Sequence, residues 1–182
     1  MAPKICCDTS VMPEAPGRPP VWTIVVLAKR LALSQSEPDN DAVMALLFAA
    51  DRTDHLATDI TPKLDAGVHV ICDRYYLSTF AYQSRSVDLA WLRTLHARCA
   101  RPDLTILLDV SPKVCCQRIA EHRWQVELYE QEAILEGVRR RYHDIAAQLR
   151  SEGQDIRIVA GDGGRSIAEV HTSIVEQVKT LL

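Results

Sequence analysis

Glycine is scarce in this chain. Seven of its 182 residues are glycine, and Gly17 is the only one before Gly67. A collagen-like repeat is excluded, and the first 66 residues contain no glycine-rich loop. Long apolar runs are lacking as well. The longest, Ala42 to Ala50, is too short to span a bilayer. The six cysteines include no C-x-x-C and no pair with a histidine at zinc-finger spacing, which argues against a metal site. Free thiols of this kind fit a reducing, cytoplasmic compartment. Positive charge is not in excess: 21 Lys and Arg against 24 Asp and Glu give a net charge of -3. No basic field is available for long nucleic acid, although a few placed arginines suffice for a small phosphorylated ligand.

What is present reads as one globular α/β domain. Hydrophobic residues make up 47% of the chain and charged residues 25%, enough for a sizeable core. Residues 1–40 read as an atypical, partly disordered segment, with five of the nine prolines in its first twenty positions. Within it, residues 21–27 suit either a buried strand or the start of a helix, since short apolar runs do not separate the two. From residue 41 to 182 the pattern is regular. Asn40 or Asp41 caps a helix expected to turn Val43, Leu46, Leu47 and Ala50 inward. Pro62 opens a short helix that stops before Gly67.

Residues 68–72 and 104–110 read as buried strands, and 156–159 as another. Residues 86–99 read as a helix. A long amphipathic helix runs from Leu128 through Leu135, Val138, Tyr142 and Ile145 to Leu149. Ser166 and Glu169 form a capping box for the last helix. Strands alternating with helices predict a parallel sheet covered on both faces. In such sheets ligands bind beyond the carboxyl ends of the strands. Two strands end there in an acid: one leads into Asp73 and Arg74, the other into Asp109. A carboxylate can hold a metal ion and a guanidinium can clamp a phosphate, but an ion pair capping the strand explains Asp73 and Arg74 equally well. The run Arg139, Arg140 and Arg141 reads as a solvated helix face.

The segment 71–83, carrying Asp73, Arg74, Tyr75, Ser78, Thr79, Tyr82 and Gln83, resembles the signature of thymidylate kinases. Residues 46–52, with Phe48 and Arg52, are similar to that family's segment for the thymine base. Ile60, Pro62, Leu64 and Gly67 fit the link between the two, and residues 102–110 with Arg118 resemble the strand and helix leading to the lid. Arg123 with residues 127–130 is similar to a shortened lid. The resemblance covers about residues 42–182. It implies a P-loop NTPase-like α/β fold, a homodimer, and transfer of the γ-phosphate of ATP to dTMP with Mg²⁺.

It also implies roles. Phe48 would stack on thymine and Arg52 would bond to its edge or to the nucleotide. Arg74 would grip the acceptor phosphate, Asp73 would sit by the metal, and Ser78, Tyr82 and Gln83 would line the nucleoside pocket. Arg118 and Arg123 would approach the ATP phosphates. The family's opening unit of strand, G-x-x-x-x-G-K-[ST] loop and helix is absent or degenerate here: that loop sequence does not occur among residues 1–66, although residues 21–27 could replace the strand. A catalytically impaired nucleotide-binding or dimerising homologue is therefore the alternative. Strongly impaired turnover is the expectation for a chain without the loop.

Overall fold

The structure is a computed structural model that describes residues 10–12, 22–26, 41–122 and 132–181. Its elements are β1 (Ser10–Met12), β2 (Trp22–Val26), α1 (Asp41–His55), α2 (Thr61–Asp65), β3 (His69–Asp73), α3 (Tyr76–Gln83), α4 (Leu89–Leu95), β4 (Leu104–Asp109), α5 (Pro112–His122), α6 (Glu132–Ser151), β5 (Ile156–Ala160) and α7 (Ile167–Lys179). A π-type turn, Leu56–Ile60, joins α1 to α2.

Five strands form one sheet in the order β1-β3-β2-β4-β5. β2, β3, β4 and β5 are parallel to their neighbours, and β1 runs antiparallel to β3 at the edge. The ambiguous segment 21–27 is thus a strand, and it holds the centre of the sheet: Ile24 aligns with Cys72 on one side and Thr105 on the other. Three residues of the proline-rich arm also join the sheet, as Ser10–Met12 pairs with His69–Ile71. Closing an exposed edge of β3 satisfies backbone groups that would otherwise face water.

Helices cover both faces, as the alternation predicts. One face packs Val70, Cys72 and Leu107 beneath Phe80, Leu92, Val138, Tyr142, Ile145 and Leu149. The other packs Leu104, Ile106 and Val159 against Val178 of α7. Successive residues of a strand point to opposite faces, which is why Ile106 and Leu107 belong to different clusters. Several sequence expectations need correction. The helix expected over 86–99 is only Leu89–Leu95, because Asp88 caps it by accepting a bond from the Trp91 N–H at 3.1 Å. The long helix begins, among the described residues, at Glu132, and Leu128 lies outside them.

The inward face of α1 is also not the expected one. Asp41, Ala45, Phe48 and Ala49 are buried, whereas Val43, Leu46 and Leu47 are at least half exposed. The helix is apolar around most of its girth, so periodicity could not choose a face. Turning the small Ala45 and Ala49 inward lets α1 approach its neighbours closely. The capping box at α7 is present as predicted: Ser166 accepts from the Glu169 N–H, and the Glu169 carboxylate accepts from the Ser166 N–H.

Candidate active site at the carboxyl ends of the strands

β3 ends at Asp73, and the chain then turns sharply into α3. Arg74 makes the turn with φ at 66°, the only non-glycine in the left-handed region among the described residues. That conformation costs an ordinary side chain roughly 1–2 kcal/mol, so the surrounding packing must hold it. Tyr75 returns to extended backbone and α3 begins at Tyr76. The consequence is directional: Asp73 and Arg74 are both half-buried at the carboxyl end of β3, and the Arg74 guanidinium lies over the Tyr82 ring, 5.5 Å from its centroid.

The side chains behind this turn are fixed by α6. Tyr142, buried at 5% exposure, donates its phenol hydrogen to Ser78 at 2.9 Å. Its ring meets that of Tyr82 edge-on, with centroids 6.1 Å apart. Burial, reinforced by Tyr82, pushes the Tyr142 phenol well above its usual range, so it stays a donor. Ser78 and Gln83 are buried, while Tyr82 is partly exposed. The structure therefore brings Asp73, Arg74, Ser78, Tyr82 and Gln83 together on one strand end and one helix.

Phe48 and Arg52 lie four residues apart, one helical turn, on the buried side of α1. Arg52 reaches across to three neighbours. Its Nη1 is 3.2 Å from His96 Nδ1 and 3.5 Å from His96 Nε2, its Nη2 donates to Thr79 at 3.3 Å, and its Cζ stands 5.2 Å from the centre of the Tyr75 ring. His96 is 4% exposed, and burial followed by the Arg52 charge holds its imidazole down to about 4. Its ring packs on Phe80 with centroids 5.7 Å apart.

A second cluster lies at the ends of β4 and β5. Asp109 accepts two bonds from Arg139, at 2.7 and 2.8 Å, and His143 Nε2 stands 3.2 Å away. The Arg139 bonds, with a lesser contribution from His143, hold the Asp109 carboxyl below the usual range despite its partial burial. Arg139 is thus only partly solvated. It ties α6 to the sheet, while Arg140 remains exposed. Asp162 accepts from the Ser111 N–H at 2.7 Å, and Arg118 donates to the Gly161 carbonyl at 3.1 Å. Gly161 passes so close to β4 that a Cβ there would meet Val110 at 2.8 Å and Leu108 at 2.9 Å. A small cleft lined by Tyr82, Leu108, Asp109, Cys115, Arg139 and Tyr142 connects this cluster with the first. Arg123 and residues 127–130 lie outside the described residues.

Sequence reasoning missed Tyr142, Arg139, His143 and His96. Tyr142 and Arg139 were visible only as helix periodicity and a charge run. No local signal marks which strand end a residue on α6 will reach.

Comparison with known proteins shows the family of the chain. The family model described as thymidylate kinase matches residues 17–174. The chain belongs to the thymidylate kinase family. It is 39% identical over 158 residues to a protein of Pyrococcus horikoshii named a probable thymidylate kinase, covering 84% of this chain and 74% of that one. Similarity to the probable thymidylate kinase of Pyrococcus abyssi is 37% over the same shares of the two chains. To that of Methanococcoides burtonii it is 32% over 155 residues, 81% of this chain and 74% of that one. The chain thus spans about three quarters of the length of these relatives. The parallel sheet with helices on both faces agrees with the family's P-loop NTPase fold, and no described helix is long and apolar enough to cross a membrane.

Proposed function

We propose that the protein is a nucleoside monophosphate kinase that transfers the γ-phosphoryl group of ATP to dTMP, forming dTDP. Family membership supports the reaction. The observation that carries the site is the Asp73–Arg74 turn, which sets an acid and an arginine in succession at the carboxyl end of a parallel strand inside the sheet. In this reading Arg74 grips the acceptor phosphate, Phe48 stacks on the thymine, and Arg52 meets its edge. Ser78, Tyr82 and Gln83 line the nucleoside, and Arg118 and Arg123 approach the ATP phosphates from the other side.

Phosphoryl transfer asks the protein mainly for positioning and for neutralisation of spreading negative charge. The positioning is built in before substrate arrives: Arg74 is held by its backbone and by Tyr82, and Tyr82 by Tyr142. Among the described residues no three His, Cys, Asp or Glu side chains are grouped to cage a metal. Mg²⁺ does not need such a cage. It usually takes one or two carboxylates and completes its shell with phosphate oxygens and water. Asp73 suits that role, and the ion would supply charge neutralisation. The ATP triphosphate has no matching backbone cradle in the sequence, because G-x-x-x-x-G-K-[ST] is absent. No step of the transfer is assigned to such a loop.

The reading extends to a homodimer. Val43, Leu46 and Leu47 form an exposed apolar stripe on α1, the helix that carries Phe48 and Arg52 on its opposite side. Burying that stripe against a second copy would brace the base-recognition helix. Leu46→Glu should shift the protein from dimer to monomer in size-exclusion chromatography with light scattering. A monomeric parent protein rules the dimer out. For the reaction, purified protein with ATP and Mg²⁺ should convert dTMP to dTDP, and dTMP should outcompete dCMP and dUMP. Binding of dTMP without any turnover would overturn the kinase reading in favour of a nucleotide-binding homologue.

A further inference from the structure

His96 is a buried histidine with no part in the reaction described above. Its geometry with Arg52 is unlike an ordinary hydrogen bond. An in-line bond to one ring nitrogen would leave the other nitrogen far out of reach, yet Nη1 is 3.2 and 3.5 Å from the two. That near-equality places the Nη1 end of the guanidinium against the imidazole ring rather than in line with one nitrogen. Tyr75 presents a second aromatic surface, 5.2 Å from the guanidinium carbon, and the Thr79 hydroxyl fixes its rotation. Arg52 therefore sits in a clamp made by three elements: the strand-to-helix turn at Tyr75, α3 at Thr79 and the end of α4 at His96.

The clamp is itself braced. His96 terminates α4, its N–H bonding to the Leu92 carbonyl at 3.2 Å, and its ring rests on Phe80. The Cys99 sulfur lies 3.9 Å from Nδ1. We propose that His96 is a positioning residue for nucleotide recognition, holding the Arg52 guanidinium in the plane from which it meets the base of the acceptor. This rests on the reading that Arg52 contacts that base. A long arginine side chain otherwise samples many rotamers, and each one frozen on binding costs affinity. Fixing Arg52 in advance removes that cost. An uncharged ring is required, since an imidazolium would repel the guanidinium, and burial keeps His96 uncharged at neutral pH.

The test is calorimetric titration of the full chain with dTMP, which reads binding rather than turnover. His96→Leu removes the aromatic contact to the Arg52 guanidinium and should weaken dTMP binding about fivefold. His96→Phe keeps the aromatic face and should stay within about twofold of the parent protein. In an Arg52→Ala background, His96→Leu should add less than about twofold, because the group it positions is gone. His96→Gln removes the aromatic face while keeping a polar group, and replaces His96→Leu if that variant does not fold.

Four results overturn the proposal. His96→Leu could leave affinity unchanged while Arg52→Ala weakens it, which rejects the positioning role and keeps the base contact. His96→Phe could bind as weakly as His96→Leu, or His96→Leu could cost as much without Arg52 as with it, which makes His96 merely a packing residue. Arg52→Ala could leave dTMP affinity unchanged, which rejects the base contact and the positioning role together.

Discussion

The two ends of the strand row are held by opposite kinds of chemistry. Around β3, Arg52 and Arg74 rest on the Tyr75 and Tyr82 rings, with His96 and Thr79 packed against Arg52 and Tyr142 bracing Tyr82. Around β4 and β5, Asp109 meets Arg139 as an ion pair at the partly exposed mouth of the cleft, with His143 Nε2 beside it. Aromatic contacts inside the protein are short-ranged and shielded from salt, whereas exposed ion pairs are weakened by it. The comparison teaches where pre-organisation is stored. On the proposed acceptor side the partly buried Arg52 and Arg74 are braced against aromatic rings. The other side is clasped by charges that water and salt can loosen.

The largest expected effect breaks the first region. Arg74→Gly removes the guanidinium proposed for the acceptor phosphate, and kcat/KM for dTMP should fall by about a thousandfold in steady-state kinetics. Glycine adopts φ 66° without the penalty that arginine bears there, so thermal stability should hold. A variant that loses stability but keeps activity would reverse the assignment.

The next prediction sharpens the contrast through pH. His96 is held at about 4, against an ordinary value of 6.5. As pH falls from 6.5 towards 4 the unfolded chain takes up a proton that the folded chain refuses. Stability is complete above this window and is lost on descending through it, by about 2–3 kcal/mol. Asp109 works in the same direction lower down: its depressed carboxyl stabilises the fold above the ordinary carboxylate range, and that stability disappears as pH falls through the lowered value. Thermal melts between pH 7 and 4 should show His96→Phe losing less stability than the parent protein. Equal losses would show that His96 does not govern the upper window.

Smaller effects belong to the second region. Gly161→Ala forces a Cβ against Val110 and Leu108 and should cost about 1–3 kcal/mol in denaturant unfolding, because both neighbours belong to β4 or its exit. Asp109→Asn should cost about 1 kcal/mol at low salt, the partial exposure of Arg139 limiting the pair's worth. That cost should shrink as salt is raised. If it does not shrink, the charge clasp is as desolvated as the aromatic one and the distinction between the two regions collapses.

Much of the fold was readable from local pattern. The β-branched run before Asp73, the apolar run before Asp109 and the capping box at Ser166 each marked an element correctly, because strand and cap signals depend on neighbours in sequence. The proposed site was readable where it lies on one continuous segment, from Asp73 to Gln83. What failed was anything decided across the fold. The face of α1 was misread because both faces are apolar. Arg139 was read as solvated because its carboxylate partner lies thirty residues away on a strand end.

Composition and short-range pattern thus determined β3, β4 and β5, most of the helices, the parallel class of the sheet and the acid-arginine strand end, since these follow from backbone propensity and residue spacing, whereas β1 and α3 carried no such signal. Tertiary structure alone decided three things. It placed Trp22–Val26 as the central strand, a choice between strand and helix that a five-residue apolar run cannot make without partners on both sides. It turned Phe48 inward and Leu46 outward. And it closed His96, Tyr75 and Thr79 around Arg52, because a clamp assembled from three separate elements exists only after those elements have packed.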